Sequence, residues 1–493
     1  MISGRTKPHS SKGTKKGIRK KNTSIDEQHS LILSRLKIIN SNPTIKKILN
    51  DNFSYEMLEN KIHSLSSQDR KSLNDVKSEL NLKTDNQIIE YIFKTLNSFS
   101  LPEDRASLST PLMNKLESLN TISYGHEIKQ FKDKCSETRT PLYDIILDSL
   151  QSLWVNKYGK TEAYHVFEIA KDFENVLFKD PRYRDHFIHQ FQVFLSGLPI
   201  LDKHYASIKK AYSKKFSETS EIEIEFSWLL AATFHDNGYL VQKFDTWLNS
   251  FFTVFLEIED LPVKIDMSTL LLTRNFQEYL DKLTSLYLCL NNDSSERWSY
   301  EGAHVIDQKI RKQLTSSLIN NRNHGIISAL ILLDRIEKSV ISREISDYKE
   351  KFFSSVVFPA GLAICLHDKE ILISEDIKPI DFNKDPLSFI LIYCDTIQEW
   401  GRPIGSSFID YDNKGLRLTK YEVTKKRVSA TITYDKIEVY TTKTGEKTNF
   451  DFKEEELKRV FNKLRSSNII FEITLESSDK NHEKPGSTFR ALR

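Results

Sequence analysis

The sequence predicts a mainly α-helical protein that ends in a small α+β region. Apolar residues recur at helical spacing along much of the chain, as in Leu31, Leu33, Leu36, Ile39 and again in Ile89, Ile92, Phe93, Leu96. Two helix starts are marked by proline: Pro181 precedes the segment that carries His186 and His189, and Pro386 follows Asp385, an N-cap residue. After Pro403 the period changes to two, in Arg427-Val-Ser-Ala-Thr-Ile-Thr-Tyr434.

Residues 1–23 form the first element, a basic tail. Positions 1–22 hold eight Lys/Arg (Arg5, Lys7, Lys12, Lys15, Lys16, Arg19, Lys20, Lys21) and no acid, so the formal charge of +3 leaves the rest of the chain slightly acidic. With Ser, Thr and Gly between its charges the tail has too little apolar surface to fold alone. It is expected to be a disordered, solvated segment, with a weak polyanion contact as its functional reading. Residues 24–150 are expected to be helical and carry no recognisable chemistry. Residues 151–405 are also mainly helical and richer in aromatics and large aliphatics, as befits the main core. Within them an apolar helix is expected over Leu387–Trp400, closed by Gly401-Arg402-Pro403.

The small α+β region is expected over 415–478. It has strands at Arg427–Tyr434, Ile437–Thr442 and Ile469–Leu475 and a helix at Lys453–Leu464, with a flexible tail over 479–493. A chain of 493 residues with 39% hydrophobic content is long enough for two or three domains. Its longest apolar runs, near Ile326–Leu333 and Val356–Leu366, fall short of the ~18 residues needed to span a bilayer. Neither a membrane span nor a secretory signal is expected. The four cysteines, Cys135, Cys289, Cys365 and Cys394, are scattered without a Cys-x-x-Cys pair, which points to a reducing, cytoplasmic location.

The chemistry is concentrated in residues 151–405. His235-Asp236 closes the apolar run Phe226–Phe234, with Gly238 available as a helix stop. Upstream lies Asp185-His186-Phe-Ile-His189, whose histidines sit three apart on one helical face. Downstream come Asn323-His324-Gly-Ile-Ile-Ser-Ala, Ala363-Ile-Cys-Leu-His367-Asp and Tyr393-Cys-Asp395-Thr-Ile-Gln-Glu-Trp-Gly-Arg402-Pro. A carboxylate such as Asp236 offers two oxygens and can bridge two ions, whereas an imidazole offers one nitrogen. An aspartate amid Ile, Tyr and Cys, as Asp395 is, must be paired or metal-bound to be tolerated.

This order of ligand types resembles the HD-domain metal-dependent phosphohydrolases over 151–405, roughly half of the chain, and within them the six-ligand dinuclear group similar to symmetrical dinucleoside-tetraphosphate hydrolases. The resemblance implies an HD helical bundle as the core and His189, His235, Asp236, His324, His367 and Asp395 as metal ligands. His186 is the alternative first ligand, with His189 behind it. His304, in Glu301-Gly-Ala-His304, competes with His324 for the third place but has more polar flanks. Arg402 shares a helical face with Asp395 and is either a phosphate clamp or a partner of Glu399.

The expected function is therefore hydrolysis of a phosphoester or phosphoanhydride, most plausibly of a nucleotide. It would use two divalent metal ions, Fe or Mn first, with Zn, Co or Mg as alternatives. His186 is expected to be the general acid, with Arg402 and Lys243 holding phosphate oxygens. Two alternatives share this core: a dinuclear-iron oxygenase, and a nucleotide-binding signalling or nucleic-acid-binding protein without turnover.

Overall fold

The computed structural model describes residues 186–216, 221–242, 274–292, 296–302, 305–341, 350–398, 416–434, 439–442, 445–479 and 485–492, with single residues or short fragments elsewhere. The chain divides into two compact units, Met1–Lys94 and Thr95–Arg493. All elements named below belong to the second, which is mostly helical with a small sheet region. The basic tail and the apolar stripes expected over 24–150 lie almost wholly outside the described residues, as does Pro181.

The helical core is built from α1 (Phe187–Lys215), α2 (Glu221–Phe234), α3 (Arg274–Asn291), α4 (Gln308–Asn321), α5 (His324–Ile341), α6 (Phe358–His367), α7 (Lys369–Leu372) and α8 (Pro386–Ile397). The apolar run at the end of α2 has no polar face, and accordingly Trp228, Leu229, Leu230, Ala231, Ala232 and Phe234 are all buried. Close approach of α1 and α2 depends on Gly197, since a Cβ there would stand 2.1 Å from the Trp228 ring. The Trp228 indole then donates to the Phe194 carbonyl at 3.0 Å, which satisfies its buried N–H. A π-helical turn, Phe353–Val357, runs into α6, every residue of which is buried. The Ser227 hydroxyl lies 3.2 and 3.1 Å from the carbonyls of Ser355 and Val356 in that turn.

Asp385 caps α8 as expected, its side chain accepting from the Ser388 N–H, with Pro386 in the first turn. The helix ends at Ile397, before the expected Trp400, and residues 399–415 lie outside the described residues. Gly238 is not the stop of α2, which ends four residues earlier. The glycine is needed for packing, because a Cβ on it would come within 2.1 Å of the His324 carbonyl oxygen. Its N–H donates to Ser328 Oγ at 2.7 Å, tying the turn to α5.

The sheet region contains β2 (Leu416–Val423), β3 (Arg427–Tyr434), β4 (Val439–Thr442), β5 (Gly445–Thr448), α9 (Asn449–Phe461), β7 (Ile470–Ser477) and β8 (Ser487–Arg490), in the order β2-β3-β7-β8 for the main sheet. Strands β3 and β7 are parallel, which requires a crossover, and the β4-β5 hairpin with α9 supplies it. A capping box between Thr448 and Asp451 starts α9 earlier than the expected Lys453. It also ends sooner, because Leu464 belongs to β6 (Leu464–Arg465), which pairs in parallel with β1 (Ile380–Asp381) in the helical core.

The expected flexible tail over 479–493 is corrected in part: Ser487–Arg490 is an edge strand paired antiparallel with β7. Of its four residues only Phe489 is apolar, its ring 6.4 Å from that of Phe461, so the periodicity that marks the other strands is too short to be read here. The main sheet packs on the helices through Phe471, which meets Phe382, Phe389 and Tyr393. Tyr421 and Tyr393 donate across the same boundary to the carbonyls of Ser196 and Glu472. Among the described residues no helix is long and apolar enough to cross a membrane.

Candidate metal centre

Helix ends bring the polar side chains together. His189 lies in the first turn of α1, with His186 as the residue before the helix; His235 and Asp236 follow the last residue of α2; His324 begins α5; His367 ends α6; and Asp395 is in the third turn of α8. The backbone just before His324 is in the left-handed region at Arg322, φ 49°, where non-glycine residues rarely go. Asp236 is at the middle of the cluster. Its Oδ2 is 3.4 Å from His189 Nε2, and its Oδ1 is 3.5, 3.6 and 3.6 Å from the Nε2 atoms of His235, His324 and His367. Asp395 Oδ1 is 2.9 Å from His189 Nε2 and 3.8 Å from His235 Nε2.

The outer nitrogens decide what this arrangement can do. His235 Nδ1 faces the Ala232 carbonyl at 2.9 Å and His367 Nδ1 faces the Ile364 carbonyl at 2.5 Å. His324 Nδ1 faces Asp368 Oδ2 at 2.8 Å, and His189 Nδ1 faces Gln398 Oε1. Each of these oxygens only accepts, so each Nδ1 carries the proton and each Nε2 presents a lone pair. Two such lone pairs then confront each other at 3.2 Å between His189 and His235, and two more at 3.2 Å between His324 and His367. Buried acceptors with no donor between them are costly. A shared cation resolves both confrontations.

Spacing supports the same conclusion. Metal–ligand bonds of about 2.1 Å place adjacent ligand atoms about 3.0 Å apart in an octahedron and about 3.4 Å apart in a tetrahedron. The separations run from 3.2 to 3.5 Å among His189, His235 and Asp236 and from 3.2 to 3.6 Å among Asp236, His324 and His367, with Asp395 at 2.9 and 3.8 Å from the first pair of imidazoles. His189, His235 and Asp236 form one set of donor atoms that could hold an ion, and Asp236, His324 and His367 form another. Asp236 belongs to both. Such a buried His/Asp cluster is compatible with an HD-type site.

The electrostatics keep most of these donors ready. Burial depresses His235 to about 3, so it is neutral. Burial alone would raise Asp236 and Asp395, but the surrounding imidazoles, His235 and His367 foremost at Asp236 and His189 at Asp395, hold both well below the usual carboxylate range. His367 differs. Burial works against its charged form, yet contact with Asp236 and the charges of Asp395, Asp236 and Asp368 raise its pKa, so a proton can stand in for a cation on that side. The His189–His235 pair has no such relief on His235.

His186 contributes to the field on Asp236, and its ring lies 4.8 Å from that of Tyr239. Tyr239 in turn stacks on His324 with centroids 3.7 Å apart. Lys243, Arg402, Glu399 and the competing His304 lie outside the described residues. Three participants were not singled out from the sequence: Asp368, Gln398 and Tyr239. Only Asp368 carried a signal, as the second half of the doublet His367-Asp368. Comparison with protein-family models, curated proteins and solved structures finds no match to this chain.

Proposed function

We propose that this chain is a metal-dependent phosphohydrolase of the HD type, cleaving a phosphoester or phosphoanhydride, with a nucleotide as the preferred substrate. The reading rests on one observation above the others: Asp236 is shared by two donor sets in which every imidazole has its outer nitrogen occupied. In this reading His189, His235, Asp236 and Asp395 hold one divalent ion, and Asp236, His324 and His367 hold a second. Bound divalent ions supply Lewis acidity and neutralise charge on phosphoryl oxygens during attack by water.

Two carboxylates do not cancel the charge of two divalent ions, so the loaded centre is cationic and favours an anionic group such as phosphate. His186, at the edge of the cluster beside Tyr239, is the group from which a leaving oxygen takes its proton. The four helix-borne imidazoles and the apolar helices around them keep bulk water from the donors.

The test is phosphate release from a panel of nucleotides, cyclic nucleotides and phosphomonoesters by the full chain loaded with Mn²⁺ or Fe²⁺, with and without oxygen. Metal-dependent hydrolysis under both atmospheres supports the reading. Consumption of substrate only with oxygen points to oxygenase chemistry, and elemental analysis showing no bound metal overturns the centre. Arg402→Ala should keep its metal and lose about 10²-fold in kcat/KM if the guanidinium holds phosphate.

A further inference from the structure

The two donor sets are supported in different ways. On the first side, His189 leans on a neutral amide: Gln398 Oε1 accepts from its Nδ1, and Gln398 Nε2 donates onward to Gln192 Oε1. That side also has a carboxylate of its own, since Asp395 Oδ1 is 2.9 Å from His189 Nε2. On the second side, among the described residues, His324 and His367 have only the shared Asp236 as a carboxylate partner at Nε2. Here the charge stands behind the ring instead, because Asp368 Oδ2 accepts from His324 Nδ1 at 2.8 Å.

Asp368 is fastened for this task. Its other oxygen, Oδ1, accepts from the Glu370 N–H at 2.8 Å and caps α7. The first turn of α5 can approach it only because residue 325 is glycine: a Cβ there would lie 2.7 Å from the Ile364 carbonyl oxygen, 3.1 Å from Asp368 Cβ and 3.3 Å from His367 Cε1. The face of the His324 ring is covered by Tyr239. His324 is thus fixed at its outer nitrogen and on its ring face, with Gly325 allowing both contacts. A carboxylate behind an imidazole fixes its tautomer and makes it a stronger donor to a metal.

We propose that Asp368 is the positioning residue of the His324/His367 half of the centre, and that this half binds its ion more weakly and fills second. The inference rests on the metal reading above and adds an order of loading to it. One carboxylate fewer among the direct donors makes the second half the weaker, and Asp368 offsets that deficit from behind His324. Gln398 has the corresponding place on the first half, but without charge.

Calorimetric titration of the metal-free full chain with Mn²⁺, together with metal content by elemental analysis, tests this without reference to activity. The wild-type chain should bind two ions in separate steps. Asp368→Asn should leave the first step in place and weaken the second by about 10- to 100-fold. Asp368→Ser, which also keeps an N-cap oxygen for α7, should do the same and guards against a folding effect peculiar to one substitution. Gln398→Leu should weaken the first step instead. A wild-type chain that binds no ion overturns the metal centre and this inference together. Binding of a single ion or two steps of equal affinity in the wild-type chain overturns the order of loading, and equal weakening or no change of both steps in Asp368→Asn overturns the positioning role of Asp368.

Discussion

Two buried polar clusters in this protein differ in how their charges are satisfied. In the sheet, the Glu472 carboxylate is buried, and every strong contact it makes is with a donor: Oε1 accepts from Arg427 Nε and Nη2, and Oε2 from Arg490 Nε. The ion pairs join β3, β7 and β8, and both arginines keep part of their surface in water. The cluster is complete as it stands. Among the helices, four imidazole nitrogens and the Asp236 carboxylate converge with their acceptor sides inward, while their donor sides are used up on outer partners. A cluster closed by its own donors belongs to the fold, whereas one made almost entirely of acceptors could hold a metal ion.

The sharpest way to separate the two is Asp236→Ala. With the proposed centre in place, Mn²⁺ should raise the Tm of the wild-type chain, and loss of the shared carboxylate should remove metal from both halves, abolish the proposed hydrolysis and eliminate that rise. Elemental analysis and paired melts with Mn²⁺ and with chelator check this. Retention of both ions would break the comparison.

Asp385 is a third kind of buried carboxylate, held by the start of α8 rather than by an arginine or an ion. Burial, opposed by contacts with Ser388, pushes its pKa up to about 6. A folded value above the unfolded one means that the contribution to stability is complete below pH ~4 and is lost as pH rises through about 6. Keeping the charged form at neutral pH therefore costs at most about 3 kcal/mol. Asp385→Asn keeps the cap and should gain about 1–3 kcal/mol at pH 7.5 but little at pH 4. Urea unfolding at the two pH values measures it, and equal effects at both would refute the charge as the cause.

Glu472→Ala should cost about 1–2 kcal/mol in urea unfolding, since both arginines are well exposed and return to water. Metal content should not change. Release of metal by this variant would mean that the sheet cluster is not purely structural. The smallest effect is expected from deleting residues 1–22, which have no apolar face with which to pack. Stability and turnover on a small nucleotide should be unaltered, and only salt-sensitive binding to a polyanion should fall.

What was legible in the sequence depended on local signals. Asp385-Pro386 marked the start of α8 because a cap and a proline act on the adjoining backbone, whatever packs around them. Arg427–Tyr434 was legible to the residue because alternation along a half-buried strand is a property of that strand alone. His189, His235, Asp236, His324, His367 and Asp395 were picked out together by the resemblance of their order to HD-domain proteins, and His235, His367 and Asp395 also by their place in apolar runs, where polar groups need a reason to be.

The tertiary structure decided the rest. His189 and Gln398 are 209 residues apart, and nothing near either one announces the other. Asp368 was visible beside His367 but acts on His324, across the close approach that Gly325 permits. Gly238 looked like a helix stop and serves instead to admit the His324 carbonyl, while the short segment 487–490 became a strand because β7 offered an unpaired edge and Phe461 a ring for Phe489 to meet. Caps and periodicity arise from neighbours along the chain and can be read from it. The partner of a hydrogen bond, the direction of a lone pair and the space beside a glycine are set by residues that only folding brings near.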